Sequence, residues 1–356
     1  MQDKPHPRRR GWRIVRRIGL GLLGLIAVLG TAGALWNALA LRHYRSANPP
    51  PGKLYAVNGR TMHLYCTGSG TPTIVLESGR GEDFTVWAKV QPMLSRSTRT
   101  CSYDRAGFGW SEPQPGTRDA NSIAGQLHAL LLEAGITQPV VLVGHSAGGI
   151  YIRAYAAQFP AAVAGLIFVD ASTPAQAHVM PPAVAALEQH SAFEYTLLKS
   201  MFALGIARLS GQCTDIPPGF KAYAGWIQAN TCVPSQVGAY QSEVAGWRAS
   251  LAETAHSGPY GDLPVLIFSR DPAQALPPGF PLPVSAALFH QANLLWDGLQ
   301  ENLKRLSTRS RRIIARHSGH YIQWDRPDLL NREVPAFILH IRDGVAAPDN
   351  GSTRTE

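Results

Sequence analysis

Residues Val140 to Gly149 read VVLVGHSAGG, an apolar β-branched run that breaks abruptly at Gly144-His145-Ser146-Ala147-Gly148. No other stretch restricts the fold of this chain so tightly. Val140 to Val143 has the composition of a fully buried strand, and Ile150 to Gln158 reads as a helix ended by Pro160. A chain that passes from strand to helix through so few residues reverses sharply. Glycines at 144 and 148 remove the two Cβ atoms that would collide there, leaving Ser146 strained and exposed at the tip. The backbone after Ser146 opens a helix, where unpaired N–H groups and the positive dipole end favour an anion. The Ala147 amide is thus placed to stabilise an oxyanion. Ser146 is the candidate nucleophile. A glycine-rich turn without chemistry is the alternative, and G-x-S-x-G by itself does not exclude it; the strand before and the helix after are what carry the functional reading.

The N-terminus poses a separate constraint. Lys4, Arg8, Arg9, Arg10, Arg13, Arg16 and Arg17 face a single Asp3, and Ile18 to Leu41 then runs without a charge. That stretch is long enough to span a bilayer, and it exceeds the apolar region of a secretory signal, about 7 to 15 residues. Ala38-Leu39-Ala40 could serve as a cleavage site, so a cleaved signal is the alternative to an uncleaved anchor. Basic residues before the span outnumber Arg42 and Arg45 after it, which predicts a cytoplasmic N-terminus (1–17), a transmembrane helix (18–41) and an extracytoplasmic remainder. Residues 1 to 45 supply eight of the chain's nine net positive charges. The basic balance therefore reports the anchor, and no nucleic-acid surface is expected.

Beyond a Pro-rich linker (42–52), short alternating runs at Leu54 to Val57 and Met62 to Tyr65 flank Asn58-Gly59, a strong hairpin signal. Further strands are predicted at Thr73 to Leu76, Thr98 to Tyr103, Val163 to Val169, Val265 to Phe268 and Ile313 to Ala315. Leu127, Leu130, Leu131 and Leu132 mark an amphipathic helix ending at Gly135, and Trp296, Leu299, Leu303 and Leu306 mark another. Between Ala171 and Asp262 the chain carries helical runs and little β alternation, which reads as a cap inserted over the site. Phe193, Tyr195, Leu197, Leu198, Met201, Phe202 and Leu204 lie on it at helical spacing, and are expected to pack cap against body. Beyond Gly344 the tail (344–356) is polar and predicted to be disordered.

The elbow at Ser146, the run Asp104-Arg105-Ala106-Gly107-Phe108-Gly109-Trp110-Ser111 and the loop His317-Ser318-Gly319-His320 through Asp325-Arg326-Pro327 together resemble the α/β-hydrolases. The resemblance spans roughly Leu54 to Ile341. It implies a mostly parallel central sheet flanked by helices, with a helical cap, in a domain covering 53–343. It assigns the general base to His320, whose imidazole near pKa of about 6.5 can accept and return a proton at neutral pH; His317 is the less favoured neighbour. Asp170, at the C-terminal end of its strand, is the expected triad acid, and Asp271, after the next strand, is the rival. The loop Glu77-Ser78-Gly79-Arg80-Gly81 stands where the family supplies its second oxyanion-hole amide, here assigned to Arg80, with Ser78-Gly79 replacing the common His-Gly. Asp104 and Arg105 are implied to pair with each other near the site in an architectural role.

Four cysteines suit an oxidising compartment. A Cys213–Cys232 bridge would close a loop of about 20 residues and stabilise the fold by roughly 3 kcal/mol. Cys66 and Cys101 fall on strands that are antiparallel neighbours in the resembled fold, and are either a second bridge or two buried thiols. No Cys/His spacing suggests a zinc site, and neither metal nor organic cofactor is expected.

Ser146, an aspartate and His320 occur in the α/β-hydrolase order, which implies ester hydrolysis through an acyl-enzyme, in the manner of carboxylesterases and lipases. Serine at the elbow argues against the epoxide hydrolases and haloalkane dehalogenases of this fold, which place an aspartate there. The expected substrate is a small acyl ester or a lipid. A peptidase or thioesterase on the same triad is the alternative. A peptidase would need an acidic pocket for a free amine, for which Glu188 and Glu194 are the acidic residues in the first half of the cap. A catalytically silent binding protein is the other alternative. Motifs do not specify the acyl and alcohol groups or the oligomeric state.

Overall fold

A computed structural model describes residues 7–116, 118–186, 191–276, 284–345 and 350–356. Its centre is a nine-stranded sheet: β1 (Lys53–Val57), β2 (Arg60–Thr67), β3 (Ile74–Glu77), β4 (Thr100–Tyr103), β5 (Val140–His145), β6 (Val163–Val169), β7 (Val265–Arg270), β8 (Ser310–Ala315) and β9 (Thr353–Thr355). They lie in the order β1-β2-β4-β3-β5-β6-β7-β8-β9. The first two pairings, β1 with β2 and β2 with β4, are antiparallel, and all others are parallel. Asn58 and Gly59 both take positive φ, 52° and 75°, as the twist of a two-residue hairpin requires.

Side-chain alternation divides the core between the two sheet faces. Val75, Leu142, Leu166, Phe168 and Ile267 pack on one side with the helices Ala120–Glu133 and Gly148–Gln158. Ile74, Leu76, Val141, Val143, Ile167 and Val169 pack on the other with Leu330, Val334 and Phe337 of the helix Pro327–Asp343. Being covered on both faces, the central strands carry almost no polar side chains. Trp296 and Leu299 lie on the helix Ala286–Asn302, whereas Leu303 and Leu306 follow in a short 3-10 turn; all four are buried.

Between β6 and β7 the inserted region is helical, with Ala192–Ala203, Ile206–Leu209, Ala224–Asn230 and Pro234–Thr254 as its main elements. Cys213 and Cys232 are bridged within it, and Cys66 is bridged to Cys101 across β2 and β4, where their Cα atoms stand 4.0 Å apart.

Three expectations need correction. The apolar stripe of the cap does not pack mainly against the body: Tyr195 is buried, but Phe193 is 74% exposed and Leu197, Leu198 and Leu204 are exposed as well. Helical spacing shows that these residues share a face and says nothing of what covers it. The linker is shorter than expected, because the N-terminal helix runs unbroken from Pro7 to Ala47. Arg45 explains why it continues: its guanidinium donates to Ala229 O (3.1 Å) and Gly109 O (2.9 Å), fixing the helix end to cap and body. The tail is not wholly irregular either, since Thr353–Thr355 adds a parallel edge strand to β8. Arg354 there pairs with Glu333 at 3.0 Å, a partner on the C-terminal helix that local composition could not show.

Removing residues 350–356 is expected to lower stability by about 1 kcal/mol, the worth of a few surface contacts. Hydrogen exchange provides the sharper check. The amides of Arg312 and Arg316, which donate to Ser352 O and Glu356 O, should lose protection while that of Val265 keeps its own.

Candidate active site

The site is assembled where β5, β6 and the loop after β8 end. At the elbow, Ser146 adopts φ 52°, a left-handed conformation that a side chain adopts at a cost. A Cβ on Gly144 would lie 2.6 Å from Gly148 O, and one on Gly148 would lie 2.5 Å from Glu77 O, so the turn closes only with glycine at both positions. Neighbouring backbone holds Ser146 in this shape: its N–H donates to Val169 O (3.2 Å), and its carbonyl accepts from Gly149 N (3.0 Å) and Ser172 N (2.8 Å). Ala147 follows at the first turn of the helix, where N–H groups lack intrahelical acceptors.

Asp170, one residue past β6, also takes positive φ, 42°, and is fully buried. Its Oδ2 lies 2.6 Å from His320 Nδ1, while Oδ1 accepts from Trp296 Nε1 (2.9 Å) and Arg270 N (3.1 Å). Burial opposes ionisation, but Arg270 and the His320 hydrogen bond outweigh it and hold the carboxyl at about 2. Asp271 is used differently. Its carboxylate accepts from the backbone N–H of Ala273 (2.9 Å) and of His317 (3.0 Å), bracing the histidine loop instead of meeting the His320 ring. His317 itself is exposed.

His320 sits below its ordinary pKa. Desolvation is the main cause, the His145 charge adds to it, and the bond to Asp170 partly opposes it. The imidazole is therefore neutral at neutral pH, with Nδ1 turned to the carboxylate.

A second acid–histidine pair lies behind this one and was not read from the sequence. His145, fully buried, has Nδ1 3.0 Å from Glu82 Oε2 and Nε2 3.1 Å from the His320 carbonyl. Burial lowers its pKa, yet the Glu82 charge and both hydrogen bonds outweigh that and raise it. Glu82 Oε2 also accepts from Gly79 N at 2.6 Å, tying the loop that carries Arg80 to the elbow. The Arg80 guanidinium lies over the Trp247 ring, 4.7 Å from its centroid, on the cap. Glu82, the acidic residue immediately after Gly81, was the available signal.

Asp104 and Arg105 do not pair with each other, contrary to expectation. Asp104 meets His63 Nδ1 (2.7 Å) and accepts from Phe84 N and Trp110 N, whereas Arg105 bridges Glu77 (2.8 Å) and Glu243 of the cap (2.8 Å). Consecutive residues at a strand end point to opposite sides, so each finds its own partner. Glu194 completes a capping box with Ser191 at a helix N-terminus, and Glu188 lies outside the described residues. Among the described residues no group of acidic, histidine and cysteine side chains could hold a metal ion.

This sheet order, elbow and cap define the α/β-hydrolase fold. The family model of the alpha/beta hydrolase fold matches residues 72–196. An uncharacterized Schizosaccharomyces pombe protein is 28% identical over 192 residues, 46% of this chain and 36% of its own length. The protein YbdG of Bacillus subtilis is 25% identical over 46% of this chain and 51% of its own, so the chain spans about half or less of these curated relatives. Among solved structures, the epoxide hydrolase CorEH aligns with TM-score 0.60 at 19% identity, over 82% of this chain and 99% of that one. A membrane phospholipase A described as a bacterial virulence factor aligns with TM-score 0.56 at 20% identity, over 92% and 99%. Likeness at this level shows the fold.

The Asp170 carboxyl gives a stability prediction. Its pKa is lowered on folding from 3.8 to about 2, so its stabilisation is present above pH 3.8 and is lost as pH falls through about 2. Asp170→Asn should remove about 2 kcal/mol at neutral pH and flatten acid unfolding between pH of about 4 and 2, measured by denaturant melts across pH.

Proposed function

We propose that this protein is a membrane-anchored serine hydrolase that cleaves carboxylic esters through an acyl-enzyme on Ser146. The observation that carries the reading is the 2.6 Å contact between Asp170 and the Nδ1 of His320, at a strand-end next to a serine held at φ 52°. With Nδ1–H given to Asp170, Nε2 is the basic nitrogen of His320. It takes the Ser146 hydroxyl proton as Oγ attacks the ester carbonyl, and the charge on Asp170 stabilises the imidazolium that forms. The backbone N–H groups of Ala147 and Arg80 receive the oxyanion. Collapse of the tetrahedral intermediate expels the alcohol, which takes the proton from His320. Water then attacks the acyl-enzyme by the same route in reverse, with His320 first base and then acid. No step calls for a metal or an organic cofactor.

One helix, Gly11–Ala47, long and apolar enough to cross a membrane, supports the anchor. Basic residues on its N-terminal side favour a cytoplasmic start, and two disulfides in the remainder fit an oxidising, extracytoplasmic setting. An acyl ester or a lipid suits an enzyme held at a bilayer.

Fluorophosphonate labelling of the full chain in detergent, followed by p-nitrophenyl ester hydrolysis, tests the mechanism. Wild type should label, and Ser146→Ala and His320→Ala should not. Asp170→Asn should reduce kcat by about 10⁴, as loss of the orienting carboxylate does, with Asp271→Asn within a few-fold of wild type. A folded wild type that neither labels nor hydrolyses short esters would sink the reading.

The pH profile offers a second check. A base held below its ordinary value is neutral over a wider range, so the acid limb of kcat/KM should have its midpoint below about 6.5. Neutralising Glu82 as Glu82→Gln should shift that limb, because the charge on its partner His145 depends on it.

A further inference from the structure

The apolar N-terminal helix is joined to the cap along a close seam. Gly33 faces the carbonyl of Leu204, where a Cβ would not fit, and Gly205, at φ 73°, returns the approach against Gly33 O. Asn37, buried at the seam, donates from Nδ2 to Phe202 O (2.8 Å) and accepts from Arg208 Nε (2.9 Å) at Oδ1. A bilayer core of about 30 Å takes about 20 helical residues, so a span starting at Ile18 reaches its outer edge near Asn37. The next turns, carrying His43 and Tyr44, then lie at headgroup depth, with Trp36 just inside, as aromatic residues at membrane borders do. Leu204, Ile206 and Leu209 of the cap, beside the same seam, are exposed, Leu209 by 74%.

Arg208 stands out there. It is only 8% exposed, yet among the described residues neither its Nη1 nor its Nη2 has a hydrogen-bond partner and no carboxylate acts on it. The Tyr44 ring, 5.4 Å away, is the other group facing its charge. A buried guanidinium without an anion is strongly disfavoured. Beside it opens a cavity of about 440 Å³ bordered by Trp36, Leu39, His43, Tyr44, Thr214 and Arg208 itself.

We propose that this seam binds the phosphodiester of a membrane phospholipid, with Arg208 as its cation. The two unpaired guanidinium nitrogens form a fork that matches two phosphate oxygens. His43 and Thr214 supply further polar groups at the rim, and Leu39 and the apolar helix surface below accept the acyl chains. Phosphate alone would satisfy the fork and leave that apolar wall unused, so the lipid is the source favoured. The site rests on the anchor being retained and is independent of the chemistry at Ser146.

The test uses the full chain carrying Ser146→Ala, so that no lipid is consumed, in a phosphate-free detergent, with bound lipid counted by native mass spectrometry. Intact mass first shows whether the N-terminal helix is present; a chain lacking it overturns both the anchor and this site, whatever labelling at Ser146 gives. With the helix present, dioleoyl phosphatidylglycerol should bind at least about tenfold better than dioleoylglycerol, which lacks phosphate, a ratio in the range of one charge-assisted hydrogen bond. Arg208→Met should erase the difference. Thr214→Glu, at an exposed position that keeps Arg208 and offers it an internal carboxylate, should erase it too, and decides the matter should Arg208→Met not fold. Equal binding of the two lipids, or an undiminished preference in Thr214→Glu, overturns the proposal. Displacement of the phospholipid by equimolar inorganic phosphate would mean a free-phosphate site and overturns the lipid assignment.

Discussion

A charge kept where water cannot reach it governs the geometry of this site. Asp170 is fully buried, and its carboxylate survives because donors converge on it from separate parts of the chain: Trp296 on a flanking helix, Arg270 at the end of β7 and His320 in the loop after β8. Each donor is also a positional constraint. The indole fixes a helix against the sheet end, the Arg270 amide fixes the neighbouring strand, and the imidazole can approach from one direction only. Burying an ion is unfavourable by itself, and satisfying it completely converts that cost into a single defined arrangement.

The same economy holds the cap. Arg105 and Arg118 of the body meet Glu243 of the cap helix Pro234–Thr254, and Arg105 continues to Glu77 at the end of β3. The lowered pKa of Glu243, in which the two arginines outweigh burial, keeps this link charged. It stands beside the loop bearing Arg80, whose own guanidinium reaches Trp247 four residues further along the same cap helix. Cap and Arg80 loop are thus positioned by one cluster, so a movement of the cap would be felt at the loop. Glu82 and His145 extend that coupling to the histidine loop through the His320 carbonyl.

Much of this was legible before any coordinates. β-branched runs located the strands to within a few residues, since a strand covered on both faces has little choice of composition, and the two elbow glycines announced a turn that only glycine permits. Asp170 and Asp271 could not be separated by the same means: both follow strands that end at the site, and the difference lies in a positive φ at one and in backbone N–H groups that occupy the other. Trp296 shows a related limit. Its helical spacing marked it as buried, which it is, but periodicity carries no information about which polar atom an indole meets. The exposed face of the cap and the edge strand at Thr353–Thr355 were misread because each depends on a distant surface, and nothing in a local window records it.

The N-terminal helix runs for 41 residues without a break and ends clamped by Arg45. At 1.5 Å per residue it is about 60 Å long, twice the hydrophobic thickness of a bilayer. Under the membrane reading it is a shaft and not a leash. A flexible linker would let the domain sample all headings above the bilayer, whereas a continuous helix sets both height and bearing by residue count. One residue more or less would raise or lower the domain by 1.5 Å and swing it through about 100°. Under that reading the height of the site above the lipid plane is encoded in the length of a segment far from the reacting atoms.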